Sequence, residues 1–262
     1  MKKNKILFSF FVFLLIHATG FAQFDFSLYN MLLKKYVHGN KVDYKSFLSE
    51  KELLFDIAAQ MGKISPDSHP EQFQTEQQKL AYWINAYNVF ILKIILEKYP
   101  VDSIKDINFL GFTVWLNKNL IGGKKISYKS LEDDIIRGRF NDPRIHFAIN
   151  CASTSCPPLL NEAFLPEKLE EQLEKTTINF INDTANVYIN NENNKIYLSA
   201  IFNWYEDDFT SWLKKNRNID EPVIIDYIKI YHVAASKIKW HKYDIEYFEY
   251  DWDLNDYIDN TN

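Results

Sequence analysis

Two thiols and an imidazole fall within eleven residues: His146, Cys151 and Cys156, in the stretch Asp142-Pro143-Arg144-Ile145-His146-Phe147-Ala148-Ile149-Asn150-Cys151-Ala152-Ser153-Thr154-Ser155-Cys156-Pro157-Pro158-Leu159-Leu160. No other cysteine occurs in the sequence. A thiol becomes a working nucleophile when an imidazole, a cation or a helix N-terminus favours its thiolate. On that reading Cys151 is the nucleophile, His146 its base, and Glu132 the carboxylate that orients the imidazole. The same residues have other uses. Cys151 and Cys156 can close a small loop as a disulfide in an oxidising compartment, or stand as two buried side chains without chemistry. Zinc is the weakest reading, because the spacing matches no usual ligand pair and a fourth ligand is unnamed. No metal and no cofactor is expected.

The element that must position these groups reads as a strand over Arg144 to Asn150, where Ile145, Phe147 and Ile149 alternate with His146, Ala148 and Asn150. In an extended strand His146 and Cys151 lie about 16 Å apart at ~3.3 Å per residue and point to opposite faces. They can meet only if the chain turns near Asn150, and Ala152–Ser155 supply turn formers. The same reversal would bring Cys156 toward His146, so both thiols stay open as the nucleophile. Cys151, directly after the strand, is the favoured one. Arg144 shares the face of His146 and is a candidate for binding a substrate carboxylate, with Asp142 and Glu132 as competing ion-pair partners.

Glu76 to Tyr99 gives the strongest helix pattern, with a wide apolar stripe from Leu80 to Ile95 that Pro100 stops. Asn85 and Asn88 lie on neighbouring surface of that helix. A buried amide needs partners, so these two either tie down loops or support a substrate or oxyanion site. Further helices are expected over 24–36, 44–61, 164–182, 201–213 and 223–238. Hairpins are expected from Phe112–Leu116 with Lys124–Ser127, and over 186–199 around the turn Asn190–Asn194. A last strand is expected over 245–252. Ser127 or Ser130 caps a short helix running to Gly138 and carrying Glu132 in its acidic first turn. The sum is α+β: one mainly helical domain over 23–262 with a small antiparallel sheet, an arrangement open to a cysteine-peptidase or transglutaminase-like fold.

The amino-terminal segment has its own pattern. Met1-Lys2-Lys3-Asn4-Lys5 precedes an apolar run from Ile6 to Ile16 and small residues at Ala18, Gly20 and Ala22. That is a signal peptide over 1–22, the run being short of the ~20 residues that span a bilayer. Export to the periplasm or medium is expected, with no transmembrane segment in the mature chain. Removing 1–22 leaves 240 residues with 27 basic and 35 acidic side chains. That acidic balance argues against nucleic acid as a partner. No phosphate-binding glycine loop and no Gly-x-Ser-x-Gly elbow occurs. The tail acids Asp244, Glu246, Glu249, Asp251, Asp253 and Asp256 lack an EF-hand loop and read as a solvated face.

Taken together, several motifs resemble one family, catalogued as domain of unknown function 547. They are Tyr82-Trp83-Ile84-Asn85-Ala86-Tyr87-Asn88, Ser130-Leu131-Glu132 with Ile136-Arg137, and Asp142 to Ser153 with Ser155-Cys156-Pro157-Pro158-Leu159. Ile201-Phe202-Asn203-Trp204-Tyr205 with Asp208-Phe209, and Tyr250-Asp251-Trp252 with Leu254-Asn255, complete the set. The resemblance covers about residues 70–256 and implies no activity. This family often shows His after Glu132, where this chain has Asp133. Two functions are therefore expected to compete. One is an exported thiol hydrolase or transferase acting on an amide or thioester bond of a small molecule, peptide or envelope component. The other is a non-catalytic envelope or secreted binding domain with a Cys151–Cys156 disulfide.

Overall fold

The computed structural model describes residues 24–258 except 109. The signal peptide expected over 1–22 lies outside the described residues. An α+β, mainly helical domain forms, with three small sheets. It is built around α4 (Glu76–Lys98), which follows α1 (Ser27–Tyr36), the two-residue strands β1 (Val37–His38) and β2 (Lys41–Val42), α2 (Tyr44–Phe47) and α3 (Lys51–Lys63). Thr75 starts α4 with a capping box: its side chain accepts from the Gln78 N–H, and the Gln78 side chain accepts from the Thr75 N–H. Its most apolar window is 89% buried by the rest of the chain. A helix that is apolar all round is a core helix, and protein surrounds this one.

After α4 the apolar run Gly111–Leu116 winds into a 3-10 helix and does not pair as a strand. The expected hairpin is therefore displaced. Its strands are β3 (Lys118–Ile121) and β4 (Lys124–Ser127), with Ile121 opposite Lys124. The cause is the turn. Gly122 and Gly123 both have positive φ, 55° and 79°, the conformation a two-residue hairpin loop demands. Their N–H groups donate to the Met61 and Gly62 carbonyls at the end of α3, 2.9 and 2.8 Å away. A Cβ on Gly122 would lie 2.0 Å from the Ser65 hydroxyl, whereas one on Gly123 meets nothing within 4 Å. Gly122→Ala is thus expected to lose about 2–4 kcal/mol, combining left-handed strain with overpacking. Gly123→Ala should lose only about 1–2 kcal/mol, from the backbone alone. Urea unfolding of the two variants separates these cases.

The Ser127 side chain accepts from the Ser130 N–H and caps α5 (Tyr128–Ser130). The helix then widens into a π-helix, Leu131–Arg137, before α6 (Gly138–Phe140). After α7 (Leu169–Asn182), the strands β5 (Val187–Asn190) and β6 (Lys195–Leu198) form the expected second hairpin. They are followed by α8 (Ala200–Trp204), α9 (Glu206–Arg217), α10 (Ile224–Tyr231) and β7 (Asp244–Tyr247). β7 pairs with β6 in parallel, so this third sheet is mixed rather than purely antiparallel.

Two apolar clusters result. The larger gathers α1 to α4 and the start of α7, including Leu169 and Leu173. The smaller gathers the end of α7, the third sheet and α8 to α10, including Phe180, Phe202 and Phe209. The chain after β7 returns to the larger cluster. There the Leu254 N–H donates to Asp102, Asn255 to Ala152 and Val42 to Asn255, at 2.7–3.0 Å. The acidic tail is therefore a structural strap as well as a charged surface.

Candidate active site

The strand expected over Arg144–Asn150 is not formed. Pro143–Phe147 is a 3-10 helix, capped by the Asp142 side chain accepting from the Arg144 N–H. With three residues per turn, successive side chains point about 120° apart. Ile145 enters the larger cluster and Phe147 the smaller, which leaves His146 directed between them. The alternation that imitates a strand is one helical turn straddling two cores.

A cleft of about 360 Å³ opens at that seam, and His146, Glu132, Cys151 and Cys156 all line it. Four of the residues singled out from the sequence are thereby brought together. The imidazole is buried, stacked on the Tyr205 ring at 4.0 Å, and its Nε2 lies 2.7 Å from Asp208 Oδ2. Burial works to raise the Asp208 carboxyl. The hydrogen bonds and charges of His146 and Arg137 overcome it and hold that carboxyl well below the usual range. An ionised Asp208 can only accept, so Nε2 carries the proton and Nδ1 is the basic nitrogen. No hydrogen bond joins His146 to either sulfur among the described residues.

Asp208, rather than Glu132, is the carboxylate hydrogen-bonded to the imidazole. The Glu132 carboxylate accepts instead from the hydroxyls of Tyr87 (3.1 Å) and Tyr205 (2.5 Å). The π-helix presents it to the cleft and sets Asp133 beside Arg137, 2.6 Å away, with Lys129 also pairing to Asp133. Wide helical turns of this kind recur at functional sites.

The two thiols differ in environment. Cys151 Sγ lies 2.9 Å from the Ser153 hydroxyl and 3.2 Å from that of Tyr250, and these two hydroxyls are 2.8 Å apart. The Cys151 N–H donates to Cys156 Sγ at 2.9 Å. Hydrogen bonding from the neighbouring Cys156 thiol does most to lower the Cys151 thiol below its ordinary value. Burial opposes this, and the Ser153 and Tyr250 hydroxyls reinforce it. Burial pushes the Cys156 thiol up. Cys151 is therefore the more acidic of the two thiols. Between Cys151 and Ser153, the buried Ala152 sits at φ 64°. A left-handed alanine costs about 1–2 kcal/mol, and the Asn150 side chain holds it there by accepting from the Ala152 N–H at 2.8 Å.

Asn85, Asn88 and Arg144, expected as substrate-binding residues, do not line the cleft. Each asparagine amide is spent on backbone. Asn85 donates to Phe164 O and accepts from Phe164 N–H, at 2.8 and 3.0 Å. Asn88 donates to Ala148 O and accepts from Asn150 N–H, at 3.0 and 2.9 Å. The guanidinium of Arg144 is held by Asp142 at 2.6 Å and by Glu170 at 2.9 Å. Cys151 and Cys156 are not bonded to each other in this structure. No cluster able to hold a metal ion occurs among the described residues.

Asp208, Tyr205, Tyr250 and Ser153 were missed as site residues, although all four lie within the motifs quoted for the resemblance. A carboxylate beside the buried Phe209, in a motif rich in aromatics, was the available signal.

Fold and cleft together define a mainly helical α+β protein in which two cysteines and a carboxylate-bonded imidazole line one cleft. Residues 70–181 match the family described as Protein of unknown function, DUF547, and this match supports the resemblance read from the motifs. The match contains Glu132, His146 and both cysteines, while Asp208 and Tyr250 lie beyond it. No curated protein and no solved structure matches the chain.

Proposed function

We propose that this is an exported thiol-dependent hydrolase or transferase acting on an amide or thioester bond, with Cys151 as nucleophile. The observation that carries the reading is the Cys151 sulfur, held between the Ser153 and Tyr250 hydroxyls on the wall of the cleft that His146 also lines, with Asp208 behind the imidazole. A Cys/His/Asp set of this kind is what cysteine peptidases and transglutaminases employ. In the first step the Cys151 thiolate attacks the acyl carbon and the C–N or C–S bond breaks. The leaving group takes the proton that His146 Nδ1 has accepted from the Cys151 thiol. Water, or an acceptor amine or thiol, then gives a proton to His146 Nδ1 and attacks the Cys151 thioester, releasing the thiolate. The substrate occupies the space between sulfur and imidazole, which share no direct hydrogen bond before it binds. The export half of the reading rests on the pattern of residues 1–22.

The test is alkylation of the mature protein with iodoacetamide across pH, followed by peptide mass spectrometry. A lowered thiol keeps its thiolate to lower pH. Cys151 is therefore expected to label before Cys156, with a midpoint below the ~8.5 of a free cysteine. Tyr250→Phe removes a donor to the sulfur and should move the midpoint upward. A native Cys151–Cys156 disulfide, or equal labelling of both thiols at the free-cysteine midpoint, overturns the reading in favour of a non-catalytic binding domain.

A further inference from the structure

The cleft carries more aromatic surface than a thiol site requires. Trp204 and Trp252 stack at 5.9 Å with 22° between their planes, and Tyr250 packs on both at 4.8 and 4.5 Å. Trp115 and Tyr205 line the same cleft. Trp204 is 47% exposed, a large apolar ring left at the mouth. Ring faces attract cations through their quadrupole, and two of these rings already hold one. Lys105 lies over Trp252 and Arg137 over Tyr205, each at 4.8 Å. Neither Trp115 nor Trp204 has such a cation among the described residues.

The charge balance points the same way. Lys129 and Arg137 are committed to Asp133 and Asp208. Glu132 forms no ion pair among the described residues. Its two oxygens take one tyrosine hydroxyl each, an arrangement suited to a carboxylate, which only accepts. A negative charge in an aromatic-walled cleft is costly to leave alone and favours a positive ligand.

We propose that this cleft binds a cationic ammonium group, with Glu132 as its counter-ion and Trp204 and Trp115 as its walls, so that the substrate is an acyl compound bearing an amine or quaternary ammonium. The inference deepens the thiol reading by naming a substrate class, yet its binding half does not need a reactive thiol.

The test uses choline and its neutral isostere 3,3-dimethylbutan-1-ol, titrated into the mature protein by calorimetry and followed by tryptophan fluorescence. Choline is expected to bind at millimolar concentration or better, at least tenfold more tightly than the isostere. Glu132→Gln should weaken choline at least tenfold and leave the isostere unchanged. Trp204→Ala, at a position 47% exposed, should weaken choline several-fold if Glu132→Gln does not fold. Equal affinity for the two probes, no binding of either, or indifference to these variants overturns the proposal. Choline failing while Cys151 labels as a lowered thiol removes the ammonium inference alone. Choline binding to a protein whose thiols are inert removes the hydrolase reading alone.

Discussion

Asp208→Asn is expected to lower turnover by about 10²–10⁴-fold, with an activated ester such as p-nitrophenyl acetate as the probe. In the native site Asp208 accepts from His146 Nε2 at 2.7 Å, leaving Nδ1 free to take a proton. An amide at this position can donate to Nε2 and drive the proton to Nδ1, which places the imidazole in the wrong tautomer. The loss should fall on kcat rather than KM, because the contact is not with the substrate. Iodoacetamide labelling of Cys151 should survive, since its donors are Cys156, Ser153 and Tyr250 rather than His146. Unchanged ester turnover in the variant would remove His146 from the mechanism.

Asp208 also links stability to pH. Its carboxyl is depressed in the folded state, so its contribution is fully present above the unfolded value of about 3.9. That contribution is lost as pH falls through the lower folded value. Asp208→Asn should therefore be less stable than the native protein near neutral pH, with the difference shrinking in acid.

Asn88→Ala is expected to lose about 2–4 kcal/mol of stability. The amide makes two buried bonds, to Ala148 O and from Asn150 N–H. Alanine leaves that carbonyl and that N–H without partners inside the protein, and each orphaned group costs about 1–3 kcal/mol. The position matters for function because Asn150 supports the next two residues. Its own amide donates to Pro157 O at 2.7 Å and accepts from the Ala152 N–H. Releasing Asn150 should loosen the left-handed Ala152 and scramble the order in which Cys151 and Cys156 are alkylated. Urea unfolding and peptide mapping read the two consequences separately. A stability loss under about 0.5 kcal/mol, the size of an ordinary surface substitution, would show that water replaces the amide.

Periodicity and punctuation alone determined the central helix α4, the first helices, the hairpin over Val187–Leu198 and the mainly helical α+β class. Those elements bury one stripe or face, and the pattern of apolar residues records it. The same reading placed Glu132, His146, Cys151 and Cys156 at one site, because their types carry the chemistry wherever the chain puts them. It could not see that Ile145 and Phe147 serve two different cores, and so mistook one 3-10 turn for a strand. Nor could it pair His146 with Asp208 or Cys151 with Tyr250. Those partners are 62 and 99 residues apart along the chain, and no local pattern encodes a contact of that range. Only the packing of α9 against the 3-10 turn, and the return of the carboxy-terminal strap across the cysteine loop, decided which acid holds the imidazole and which hydroxyl meets the sulfur.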